Sequence, residues 1–125
     1  LHAITEDNVH VLCAHFGFLS WERRHQIRKL RTLLQKIPAT APLILAGDFN
    51  DWNEKSHQTL THLGLREAMQ DGTGRVQKTF PARWPVLRMD RIYYRNLTLQ
   101  FSQRLEGIAW RKLSDHSPLL AEFTR

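Results

Sequence analysis

Leu43 to Ala46 (LILA) is an unbroken apolar run, ended by Gly47 and then by the polar stretch Asp48-Phe49-Asn50-Asp51. A run that short with no polar break suits a strand covered on both faces. What precedes it narrows the choice of fold further. From Trp21 to Ile37 the apolar residues Ile27, Leu30, Leu34 and Ile37 fall on one stripe at helical spacing, and Pro38 and Pro42 close the helix. Ser20 is the expected N-cap, with Glu22 in the first turn where the helix dipole favours an acid. Before the helix, Asn8 to Phe16 reads as a strand with Val9, Val11 and Cys13 on one face. Strand, helix, buried strand is the grammar of an α/β protein.

The rest of the chain adds strands. Glu54 to Leu63 is expected to form a short helix and Gln70 to Lys78 a loop with turns at Gly72 and Gly74. Thr79 and Phe80 begin a short strand, and Pro81 and Pro85 keep the next stretch irregular. Arg88–Arg95 reads as a strand. So does Leu97–Arg104, where Leu97, Leu99 and Phe101 alternate with Thr98, Gln100 and Ser102. Pro118 to Phe123 closes the set. The sheet is therefore expected to be mixed.

Composition excludes several classes. With 42% hydrophobic and 24% charged residues the chain is neither disordered nor membrane-spanning. Its 125 residues make one domain. The single Cys13 excludes a disulfide framework, and it reads as a small buried residue. With no apolar run after a basic start, no signal peptide is expected, and the cytoplasm is the expected location. The net charge is +6, and the bases cluster at Trp21–Lys36 and Arg75–Arg95, each with one acid. A surface of that kind concentrates polyanions and admits a phosphate-bearing partner. In the helix these bases are expected to cover the side away from the apolar stripe.

Four short constellations carry polar chemistry. His15 ends a strand. Asp48 and Asn50 follow the apolar run directly, at the carboxyl end of a strand where sites in α/β sheets gather. Asp90 sits among apolar strand residues, where a buried acid needs a partner; Arg88 and Arg91 are the neighbouring candidates. Ser114 to Pro118 places Asp115 beside His116. Each has a plain structural reading, as a turn or a satisfied polar group. Together they supply carboxylates for a hard cation, an amide for phosphoryl oxygens and two imidazoles for acid and base work. No glycine-rich nucleotide loop, HExxH or GxSxG is present.

A strand ending in His15, then GDFN at 47–50, DRI at 90–92 and SDHSP at 114–118, in that order, resembles the endonuclease/exonuclease/phosphatase superfamily of DNase I-like enzymes. The longer stretches AGDFNDW, TFPARWPVLRMDRIYY and WRKLSDHSPL look closest to a bacterial subgroup whose substrate is unsettled. The resemblance implies the fold: an α/β chain forming the second half of a four-layered sandwich, one mixed, mainly antiparallel sheet with outer helices. Residues 1–125 would be a single partial domain. It also implies roles. His116 is the catalytic histidine, Asp90 its orienting carboxylate, and Asp48 the group that activates water and helps hold metal. Asp115 is a metal-site or adjacent active-site acid, Asn50 binds phosphate, His15 is the second histidine, serving as acid or phosphate ligand, and Trp52 lines the site.

The implied reaction is Mg²⁺-dependent hydrolysis of a phosphodiester by water, with Mn²⁺ as the other candidate ion. Nucleic acid and phospholipid head groups are the two candidate substrates. The chain opens on Leu1, and the family's first-half motifs have no match in it. It is therefore expected to be part of something longer and to lack part of a metal site. A bare inner sheet face carrying Leu43, Leu45 and Ile92 is expected to be covered by the missing half or by a second copy. A non-catalytic phosphate-binding or assembly module is the alternative reading.

Overall fold

The computed structural model describes residues 1–125. Strand β1 (His2–Ile4) hairpins onto β2 (His10–His15), and helix α1 (Ser20–Lys36) carries the chain to β3 (Leu43–Asp48), which lies parallel to β2. A parallel pair needs such a crossover. After α2 (Lys55–His62) come β4 (Arg66–Glu67), α3 (Ala68–Thr73), β5 (Asp90–Arg95), β6 (Thr98–Arg104), α4 (Ile108–Leu113) and β7 (Leu119–Thr124). The strands form a five-stranded mixed sheet in the order β1-β2-β3-β5-β4, and β6 and β7 form a separate antiparallel ribbon. Only the β2–β3 pair is parallel. The architecture is α/β with a mainly antiparallel sheet, as the sequence leads one to expect. No helix is long and apolar enough to cross a membrane.

The core follows from strand alternation. Leu12, Leu43, Leu45 and Tyr93 point to the face covered by α1 and α2, where they meet Leu30, Leu34 and Leu60. Leu43 and Leu45 have no exposed surface, so they do not line a bare face. The alternate residues Ile44, Ala46 and Ile92 are half-buried on the other face, beside the exposed Cys13. β3 is thus sealed on one side only, and Cys13 is not a core residue. Farther along that second face, Tyr94 packs with Ala68 and Met69 of α3 and with Phe123 of β7.

Several local expectations give way to tertiary contacts. α3 occupies part of the segment expected to loop at 70–78. The buried Glu67 carboxylate accepts the N–H of Gln70, and Gly74 at φ +80° ends the helix. β1, β4 and α4 were not expected either, each being too short to show a period. The segment expected to open a strand at Thr79 makes only an isolated bridge, Phe80 to Leu87. Leu19 rather than Ser20 caps α1, and the Glu22 carboxylate accepts its N–H.

Arg23 is buried rather than on the solvent side of α1. Its guanidinium lies 4.4 Å from the Trp52 ring centroid and donates to the carbonyls of Gly17 and Phe18. In β6 a bulge between Leu99 and Phe101 reverses the alternation. Phe101 turns outward, and Ser102 turns inward to donate to the Ala68 carbonyl at 2.8 Å.

Candidate active site

The β2–β3–β5 register builds the site. Gly47 pairs with Ala14 and Arg91, so His15, Asp48 and Asp90 stand side by side at one end of the sheet. Gly47 makes the close approach possible. Its φ is +149°, and a Cβ there would lie 1.8 Å from the Ala14 carbonyl oxygen. The next two residues form a tight turn in which the Asp48 carboxylate accepts the Asn50 N–H at 2.8 Å. Asn50 is held at φ +46°, and its amide donates 2.7 Å to the Phe16 carbonyl, tying the β3 turn to the end of β2.

Asp90 lies directly across from Asp48 on the same face. Like charges directly opposed across a ladder are destabilising, so this pair marks a place that expects a cation or a proton. Neither neighbouring arginine serves Asp90. Arg88 pairs with Glu54 at 3.7 Å, and Arg91 points to the opposite face, where it is buried and donates to the Asp51 carbonyl. The partners of Asp90 are His116, whose Nδ1 is 2.7 Å from Oδ2, and the fully buried Thr79, whose hydroxyl donates to the same oxygen. The Thr79 oxygen in turn accepts the Asp90 N–H at 3.2 Å, which clamps the carboxylate from below. The Phe80 ring lies 5.0 Å from the His116 ring.

These surroundings shift both titrating groups. Burial raises the Asp48 pKa, with the Asp90 charge adding to the rise, against the Asn50 N–H and the two histidines. For His116 burial acts downward but is outweighed by the Asp90 hydrogen bond and by the charges of Asp90, Asp48 and Asp115, so its pKa rises.

Asp48, Asp90 and His116 each bring a ligand atom within 4.8 Å of the others. They line an open cleft of about 370 Å³ together with Gly47, Ser114 and Ser117. A larger groove of about 770 Å³ runs outside α1 past Trp21, Arg24 and Arg28, but it holds no carboxylate.

The other expected site residues stand around this centre. The His15 ring is 3.7 Å from Asp48 Oδ2 and 80% exposed. Trp52 packs on Phe18 with ring centroids 5.1 Å apart and keeps part of its surface in solvent. Asp115 is exposed and outside the three-residue cluster; its carbonyl accepts the Ala82 N–H at 2.6 Å. Sequence reading missed Thr79 and Phe80 as parts of the site. Their signals were the short strand expected at 79–80 and their place at the head of the stretch TFPARWPVLRMDRIYY.

Comparison with known proteins bears on the family and the fold. The model of the Endonuclease/Exonuclease/phosphatase family matches residues 3–116. The protein YbhP of Escherichia coli (strain K12) is 39% identical over 120 residues, which are 95% of this chain and 47% of that protein. The chain thus spans about half the length of that relative. Among solved structures, a mannosyl-6-phosphatase of Bacteroides thetaiotaomicron superposes with TM-score 0.77 at 18% identity, covering 99% of this chain and 55% of its own. A 3′ phosphatase from Neisseria, bound to a product DNA hairpin, superposes with TM-score 0.74 at 19% identity over 99% of this chain and 64% of its own. At such identities the two structures establish the fold alone.

Proposed function

Because this chain belongs to the endonuclease/exonuclease/phosphatase family, we propose that its cleft hydrolyses a phosphate ester, with a phosphodiester as substrate. One observation carries the reading. The His116–Asp90 couple, at 2.7 Å, stands at the strand ends beside a carboxylate whose pKa is raised. With Nδ1 engaged by Asp90, Nε2 is the free ring nitrogen, and the imidazole is held in one orientation.

In this reading water attacks phosphorus, the bond to the leaving oxygen breaks, and that oxygen takes a proton. Asp48 accepts the proton of the attacking water, because burial and the facing Asp90 charge strengthen its hold on a proton. His116, whose hold on a proton Asp90 strengthens, stabilises the growing negative charge on the phosphoryl oxygens through Nε2–H. His15, free in solvent beside Asp48, gives the proton to the leaving oxygen. One amide hydrogen of Asn50 is used by Phe16, and the other serves a phosphoryl oxygen. Trp52 lines the approach to the cleft. Asp115 acts as a nearby charge on His116.

The donor set fits a hard divalent cation. Two opposed carboxylates are donors of the kind Mg²⁺ takes alongside several of its own waters, and Mn²⁺ accepts the same oxygens. Asp48 and Asp90 would hold it. Such an ion, when bound, polarises a phosphoryl oxygen and offsets its charge.

The test is hydrolysis of bis(p-nitrophenyl) phosphate with and without Mg²⁺, by the chain and by His116→Ala. The expected result is metal-dependent turnover that falls by ~10²–10⁴-fold in the variant. Equal turnover in the variant overturns the assignment. Phosphate binding without any turnover favours the non-catalytic module.

A further inference from the structure

The end of the sheet that carries the cleft also carries most of the chain's exposed large apolar side chains. Four connections meet there: the β2–α1 link, the β3–α2 link, the segment entering β5 and the segment from α4 to β7. The first two present Phe18, Leu19, Trp21 and Trp52. The third presents Trp84, 79% exposed, and Val86. The fourth presents Ile108 and Leu113, at 71% and 76%. The connections at the opposite end, 5–9, 37–42 and 96–97, hold no exposed large apolar residue. Single exposed hydrophobics are ordinary, but a set gathered around one cleft marks an interaction surface.

Two segments of this rim are joined directly. Trp110 of α4 lines a cleft with Ala82 and Pro85, which joins the α4 and Trp84 segments, and Ala82 is bonded to Asp115 beside the catalytic pair. α4 itself buries no residue. It sets Ile108 and Leu113 next to Arg111 and Lys112 with no acid in the helix. Arg83 adjoins Trp84, and Arg24 lies in the turn after Trp21; both are exposed.

We propose that this rim docks the protein onto an anionic lipid bilayer, with the cleft facing the head groups. Interleaved Trp, aliphatic and basic side chains suit an interface where rings and methyl groups enter the acyl boundary and the bases meet acidic lipid. A nucleic acid would use the bases and stack on the aromatic rings, but it offers nothing apolar for Val86, Ile108 and Leu113. Docking stands apart from hydrolysis. The consequence that the substrate is a phosphodiester of a lipid rests on the phosphodiesterase reading.

The experiment is co-sedimentation of the chain with vesicles of phosphatidylcholine alone and with vesicles of equal parts phosphatidylcholine and phosphatidylglycerol. The comparison includes Trp84→Ser with Val86→Ser, Ile108→Ser with Leu113→Ser, and Ile4→Ser at the far end of the sheet. Binding is expected on the anionic vesicles alone. It should weaken by ~10-fold in each rim pair and stay unchanged in Ile4→Ser. A pair that fails to fold, judged by its melting curve, is replaced by Arg111→Glu with Lys112→Glu, which should release the chain from anionic vesicles. No vesicle binding overturns the proposal, as does equal loss in Ile4→Ser. Salt-sensitive binding to a DNA duplex that the rim pairs leave intact, without vesicle binding, overturns it in favour of nucleic acid. Because binding is read without turnover, and bis(p-nitrophenyl) phosphate needs no surface, docking and hydrolysis fail separately.

Discussion

The two ends of the sheet use the same device for different purposes. At one end Asn50, at φ +46°, donates its amide to the Phe16 carbonyl; at the other Asn96, at φ +52°, donates to the carbonyls of Ala39 and Ala41. Both tie a strand end to the neighbouring connection, and both use a side-chain-bearing residue that tolerates a left-handed backbone better than most. Around Asn96 the connections 5–9, 37–42 and 96–97 present no exposed large apolar residue. Around Asn50 it presents opposed carboxylates, two histidines and the apolar rim. The local fastening is common to both ends, and the cost in stability is concentrated at one. Unfavourable charge placement is therefore a better guide to the working end than loop geometry.

That comparison can be broken at several points. The largest effect on stability should come from the shared core. Leu45→Ala, beneath both ends, is expected to cost about 2–5 kcal/mol in denaturant melts. If it removed activity with little loss of stability, the core would not be common to the two ends.

Asn50→Ala and Asn96→Ala sharpen the contrast. Each should cost about 1–3 kcal/mol, from a lost hydrogen bond and a strained left-handed alanine. Only the Asn50 change should also lower phosphodiester turnover. Equal activity loss in both would show that the far end matters to catalysis.

Thr79→Val removes the hydroxyl beneath Asp90 while keeping the shape. Turnover should fall by ~10-fold, because His116 is then held less firmly, and its pH profile should shift while the KM moves little. An unchanged pH profile would reduce Thr79 to a packing residue.

The smallest effect concerns His57, on the helix-covered face and bonded to the Tyr93 hydroxyl at 3.0 Å. Burial, then the Arg91 charge, lowers its pKa below the usual 6.5. The unfolded chain then takes up this proton at a higher pH than the folded one. Stability should fall as pH drops from about 6.5 toward the folded value, and His57 should cost nothing above that range. His57→Gln should flatten this part of the stability curve. An unchanged slope between the two proteins would count against a lowered pKa for the half-buried His57.

Much of this was legible in the sequence, and the physical reason is distance along the chain. α1, β2, β3 and β5 follow from periodicity over adjacent residues, and their observed bounds lie within a few positions of the expected ones. Asp48, Asp90 and His116 are each flagged by short motifs at strand ends, and the fold brings them within hydrogen-bond and ligand distance. What escaped depends on contacts between distant segments. Arg23 is buried because Trp52 covers it. Ser102 turns inward because a bulge resets the strand, and α3 forms because Glu67 caps it from a buried position. Thr79 lies eleven positions from the carboxylate it clamps. No periodicity connects such residues.

Gly47 has a consequence for how sequences of this kind can vary. With the Ala14 carbonyl where any side chain would begin, every replacement must move β2 away from β3, and so His15 away from Asp48. In a library of all single substitutions, position 47 should tolerate as little as position 116. Depleted variants would arise at the first because the protein no longer accumulates, and at the second because it accumulates but does not work.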